Sequence, residues 1–109
     1  MISYDDFAKL DIKIGTILSV EPIEGADKLL RLMVDLNEES PRQIVSGIRM
    51  YFEDPTVLVG KQCPFLVNLE PRTISGVESN GMILAASTIE GDFALLYPSK
   101  PLASGTKIK

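Results

Sequence analysis

The 109 residues include no histidine and a single cysteine, Cys63. Imidazole is the commonest general base and the commonest metal ligand. Its absence rules out Ser-His-Asp and Cys-His arrangements and, with only one thiol present, the ordinary zinc sites. One cysteine also excludes an internal disulfide framework. Neither a G-x-G-x-x-G nor a G-x-x-x-x-G-K-[ST] loop occurs, so both common nucleotide cradles are missing. No apolar run approaches the roughly 20 residues that span a bilayer. The carboxylates are scattered, and Glu38-Glu39 falls in a turn. The expectation is a chain with no catalysis of its own, no cofactor, no metal and no membrane partner.

What is present describes a globular domain. Apolar residues make up 45% of the chain and charged ones 24%, and the length suits a single domain over 1–109. The opening MISYDDFAKLDIK is acidic and mixed and does not read as a signal peptide. With the lone cysteine, this points to the cytoplasm. The net charge of −4 argues against a broad nucleic-acid surface, but its distribution is uneven. Asp5, Asp6, Asp11, Glu21, Glu24 and Asp27 face only Lys9 and Lys13 in residues 1–27, which accounts for the whole imbalance. Residues 28–72 are neutral and hold Lys28, Arg31, Arg42, Arg49, Lys61 and Arg72. A local basic face is compatible with this, so a nucleic-acid partner would be held by few phosphate contacts and by shape.

The punctuation along the chain is regular. Ser3 and Asp6 have capping-box spacing, which predicts a short helix over 4–9. In IKIGTILSV the alternation puts Ile12, Ile14, Leu18 and Val20 on one face and Lys13, Gly15, Ile17 and Ser19 on the other. Gly15 suggests a bulge or bend. LLRLMVDL turns Leu30, Leu32, Val34 and Leu36 inward, and RQIVSGI is a third strand. In EDPTVLVG, Asp54 caps a helical turn that has Pro55 at its start and Gly60 at its end. KQCPFLVNL is a fourth strand with Cys63, Phe65, Val67 and Leu69 on one face, and Pro64 implies a free edge. A loop over 71–81, the strand MILAAS, a hairpin at EGD, FALLY and an irregular tail complete the chain. This order predicts an all-β protein. It would be an OB-fold, a five-stranded Greek-key barrel over about 11–97, with a short helix between strands three and four. Extensions flank the barrel, the C-terminal one at 98–109.

The residues also carry a resemblance. DFAKLDIKIGTILSVEPIEGADKLLRLMVDL, PRQIVSGI, LVGKQ, NLEPRTISGVESNGMILAA and SGTKIK occur in this order and span essentially the whole chain. Together they resemble the tRNA-binding domain at the C-terminus of many bacterial methionyl-tRNA synthetases. That domain is also found as a free-standing dimeric tRNA-binding protein and in accessory factors of the eukaryotic synthetase complex. CsaA-like chaperones share the YDDFAKLDIKIG opening but depart at VSGI and GVESNGM, where this chain follows the tRNA-binding type.

The resemblance implies recognition of the tRNA elbow by shape, a homodimer built through the two extensions, and a methionyl-tRNA synthetase catalytic part as partner. Its RNA-facing positions correspond to Lys28, Arg72, Ser79, Asn80 and Met82. Asn80 stands where many members have Gln, one methylene longer, and keeps the amide donor and acceptor. Ser79 and Asn80 would hydrogen-bond RNA, Met82 would offer a soft apolar surface, and Gly76 and Gly81 would let the backbone approach closely. Arg31 and Arg42 are further RNA-binding candidates, and both also read as solvated strand charges. Tyr51 and Phe52 read as stacking residues or as core. The alternative function is a CsaA-like protein-binding or export chaperone. A single-strand or oligosaccharide binder is disfavoured, because LLRLMVDL and RQIVSGI carry no aromatic residue.

Overall fold

The computed structural model describes every residue, Met1–Lys109, and is mostly β with one short α-helix. That helix, α1 (Tyr4–Ala8), is closed by the expected capping box. The Ser3 hydroxyl accepts the Asp6 N–H at 3.2 Å, and the Asp6 carboxylate accepts the Ser3 N–H at 3.1 Å. None of its residues is buried.

Nine strand segments follow: β1 (Ile12–Ile23), β2 (Ala26–Asp35), β3 (Arg42–Ser46), β4 (Gln62–Leu66), β5 (Arg72–Ile74), β6 (Val77–Ser79), β7 (Met82–Ile83), β8 (Ala85–Ser87) and β9 (Phe93–Leu95). Five form one antiparallel sheet in the order β3-β2-β1-β4-β7, while β5-β6 and β8-β9 are separate two-stranded ribbons. β1 is long enough to serve two partners. Ile12–Thr16 pair with β4, and Thr16–Ile23 pair with β2. Gly15 sits where these pairings meet, and a Cβ there would lie 2.5 Å from Val34 and 2.9 Å from Phe65. Glycine at this position makes room for the core.

The irregularity expected at Gly15 falls later, between Ile17 and Ser19. The expected faces hold as far as the bulge: Gly15 and Ile17 turn to the core, and Leu18 is 47% exposed. A bulge inserts one residue and so inverts the alternation beyond it, which brings Val20 against the same core as Ile17 instead of the opposite face. β2 follows its pattern, with Leu30, Leu32, Val34 and Leu36 all inward. They join Ile17, Ile44, Leu58, Cys63, Phe65, Val67 and Ile83 in one core. Each such side chain contributes about 1.5–3 kcal/mol on burial.

Between β3 and β4 the expected helix is two 3₁₀ turns, Arg49–Tyr51 and Pro55–Leu58. Asp54 accepts the Thr56 hydroxyl at 2.6 Å and the Thr56 N–H at 3.1 Å, and these bonds hold its carboxyl below the usual range. Pro55 opens the second turn, Leu58 anchors it in the core, and Gly60 ends it at φ 85°. Pro64 does not mark a free edge, since β4 lies between β1 and β7. The β4–β7 pairing is nevertheless only two residues long, Phe65 with Ile83 and Leu66 with Met82. It ends beside Pro64, which has no N–H to donate.

The 71–81 stretch is a hairpin, not a loop. Ser75 and Gly76 have φ of 49° and 80°, as a two-residue type I′ turn requires. The expected MILAAS strand breaks at Leu84 into β7 and β8, and of Met82–Ser87 only Ile83 is buried. The tail is also more ordered than its composition suggests. Ile14 N–H donates to Thr106 O at 2.8 Å, Gly105 N–H to Ile14 O at 2.7 Å and Ile108 N–H to Ile12 O at 2.8 Å. The tail therefore pairs along the start of β1.

Candidate nucleic-acid interface

The outer edge of β3 is not left open. The segment Glu78–Asn80, at the end of the β5–β6 hairpin, is bonded to it. Asn80 N–H donates to Gln43 O at 2.9 Å, and the Gln43 side-chain amide donates to Glu78 O at 2.8 Å. Val45 N–H donates to the Ser79 hydroxyl at 2.9 Å, and that hydroxyl donates to Gly81 O at 3.0 Å. The chain then turns through Gly81 into β7, so the two edges of the main sheet, β3 and β7, are joined through this turn. Gly81 has φ 141°, and a Cβ on it would stand 3.0 Å from Leu66 O and 3.2 Å from Ile44. Its lack of a side chain therefore serves closure of the sheet. A Cβ on Gly76, at the hairpin tip, would meet nothing within 4 Å, so this position is open.

This arrangement sorts the seven candidate residues. Lys28 is exposed at the start of β2, beside the hairpin tip. It lines an open cleft of about 380 Å³ with Ala26, Asp27, Leu29 and Ser75. Arg72 is exposed at the base of the hairpin, opposite Ser79. Neither cation lies within ion-pair distance of a carboxylate. Asn80 is half-buried, its backbone is bonded on both sides, and its side-chain amide has no partner within the chain. Met82 is 39% exposed and faces away from the core. Arg31 stands in register between Glu21 and Val45. It meets Glu21 at only 3.6 Å, and its Nε is buried without a partner.

Ser79 and Arg42 have other work. Ser79 is 3% exposed and its hydroxyl is engaged by Val45 and Gly81. It is positioned to hold the turn, not to touch a ligand. Arg42 grips Glu38 with two bonds of 3.0 and 2.9 Å. Its remaining Nη1 donates to Val67 O at 2.6 Å and Asn80 O at 3.1 Å. A guanidinium with all its geometry committed to one carboxylate and two carbonyls is a clamp on the turn. The sequence hides both roles, because the partners lie 25 to 38 residues away.

Gln43 and Met33 were not singled out by sequence pattern, yet both line one cleft with Asn80. In register they form one row across the sheet, Ser19–Met33–Gln43, continued by Asn80 through its bond to Gln43. The adjacent row is Glu21–Arg31–Val45, continued through Ser79 to Arg72. Tyr51 stacks on Phe93 at 4.0 Å, and Phe52 meets the same ring edge-on at 5.9 Å. These aromatics thus pack on one another, and Phe52 and Phe93 also pack against the core. Burial pushes the Cys63 thiol up to about 11, so it remains a neutral core group.

The fold and this edge-closing turn define a small β domain with a polar, sparsely charged face. Residues 12–107 match the family described as "Putative tRNA binding domain", and the chain belongs to that family. The methionine–tRNA ligase of Methanosarcina mazei is 50% identical over 109 residues, which is 100% of this chain and 15% of that protein. The chain thus spans only a small part of the ligases it matches. Among solved structures, a MetRS-related protein from Pyrococcus horikoshii superposes with a TM-score of 0.92 at 35% identity, covering 100% of this chain and 98% of that one. The chaperone CsaA from Bacillus anthracis str. Ames gives 0.88 at 32% identity, with 100% and 99% covered.

Proposed function

We propose that this chain binds tRNA by shape, with no chemistry of its own, as an OB-type five-stranded Greek-key barrel. It serves as the C-terminal domain of a methionyl-tRNA synthetase, or beside one in trans, and raises that enzyme's hold on tRNA in the cytoplasm. The observation that carries the reading is the pair of uncommitted cations, Lys28 and Arg72, flanking one hairpin beside the free Asn80 amide and exposed Met82. Arg31 completes the contact set, with Ser79 and Arg42 holding it from behind. The joining of β3 to β7 through Glu78–Gly81 supports the barrel. The family match and the ligase relatives support the partner.

The chain acts as a homodimer in this reading. A five-residue helix is too short to persist alone, and in α1 only Phe7 is even half-buried while Ile2, Tyr4 and Leu10 stay exposed. A second copy would cover it. Sedimentation at several concentrations should give the mass of two chains, and a single-chain mass throughout would rule the dimer out.

The function is tested by titrating intact tRNA and an equally long single-stranded RNA at several salt concentrations. Folded tRNA should win, with a log–log salt slope of about −2 to −4, since each phosphate contact contributes roughly 0.7–0.9. A slope near about −8 would contradict shape reading. The likeness to CsaA supports a second reading, a peptide-binding chaperone. Binding of an unfolded apolar peptide, with no binding of tRNA, would favour it.

A further inference from the structure

An open cleft of about 760 Å³ lies beside the closing turn, between the β2–β3 connection and the segment after β4. Its size falls in the range of roughly 300–1,000 Å³ typical of small-ligand sites. Met33, Leu69 and Pro71 give it apolar walls, and Gln43 and Asn80 stand at its polar side. Asn80 is the unusual member. Its N–H is bonded to Gln43 O and its C=O to Arg42, so its backbone is fixed from both sides. Its side-chain amide nevertheless offers a donor and an acceptor that nothing in the chain uses. A fixed backbone carrying a free amide suits two hydrogen bonds to a planar partner.

Charge decides which partner. Glu38 and Glu39 also line the cleft, and its one guanidinium, Arg42, is already spent on Glu38. Glu39 has no cation within ion-pair distance. A phosphate would meet an uncompensated carboxylate here, whereas a neutral ring would not. The free cation Arg72 follows directly on the wall residue Pro71. A nucleotide's phosphate could therefore be held outside the cleft while its base lies inside.

We propose that this cleft receives one unpaired nucleobase of the bound RNA, with the Asn80 amide on the base edge and Met33, Leu69 and Pro71 against its faces. The subsite rests on the tRNA-binding reading and adds to it a single extruded base, read as a neutral group.

The test uses the full chain and an intact tRNA transcript, comparing wild type with Asn80→Ala, Asn80→Asp and Arg72→Ala at several salt concentrations. Asn80→Ala breaks no bond within the chain, and an unchanged melting temperature checks its fold. It should weaken binding about tenfold with the salt slope unchanged. Asn80→Asp, which adds a third carboxylate, should weaken it further. Arg72→Ala should instead lower the slope by about 0.7–0.9. In transcripts carrying one abasic nucleotide at each unpaired position in turn, one position should cost wild type about tenfold and cost Asn80→Ala nothing more. Wild-type affinity in Asn80→Ala, a slope lowered like that of Arg72→Ala, or no position coupled to Asn80 would overturn the subsite while leaving tRNA binding intact. Failure of wild type to bind the transcript would instead remove the proposed function, and the subsite with it.

Discussion

Two glycine turns five residues apart are held in opposite ways. At Gly76 the hairpin tip stands in open space, and its geometry comes from the local type I′ turn alone. At Gly81 the chain is pressed between Leu66 O and Ile44 and tied by Ser79 and Arg42. One end of the segment presents residues to solvent, and the other closes the sheet. The stretch GVESNGM looks uniform in sequence, yet tertiary bonding divides it into an offered half and an anchored half.

Substitution tests that division most strongly at Gly81. Gly81→Ala combines a backbone angle that side chains rarely adopt with a clash against a carbonyl. It should destabilise by about 3 kcal/mol, a Tm fall of roughly 10–20 °C by calorimetry. Arg42→Met comes next. It leaves the carbonyls of Val67 and Asn80 without their donor and should cost about 2 kcal/mol in urea unfolding. Amide exchange at Asn80 should quicken more than at core strands, and uniform quickening would deny the clamp its local role. Gly76→Ala meets no neighbour and bears only the positive-φ strain, about 1 kcal/mol. A cost matching that of Gly81→Ala would erase the contrast. Arg72→Ala, on the offered side, should change stability by less than about 0.5 kcal/mol while weakening tRNA binding.

Much of the fold was legible where the signal is local. The Ser3–Asp6 box, the Asp54-Pro55 start and Gly60 end of the second 3₁₀ turn, and the alternation of Leu30, Leu32, Val34 and Leu36 all rest on spacings of a few residues. Val20 changes face because a bulge is a property of two paired strands. The same reason divides the site. Lys28, Arg72 and Met82 could be expected at the surface because nothing distant claims them. Ser79 and Arg42 are claimed by backbone groups of β3, of Val67 just after β4 and of the closing turn, and no pattern in their own neighbourhoods reveals it. Glu38 and Arg42 have helical spacing but sit across a turn, so the pairing rule for helices gave no warning of them.

The tail's pairing with β1 also shapes the order of events during synthesis. Residues 105–108 complete hydrogen bonds to Ile12 and Ile14, more than ninety positions earlier. Until the ribosome has made residue 108, that stretch of β1 carries an unsatisfied edge, the kind of surface that recruits foreign strands. Contacts this distant in sequence also slow folding, because a long loop must close before they can form. The nascent chain therefore passes through a period in which its first strand is made but only half protected.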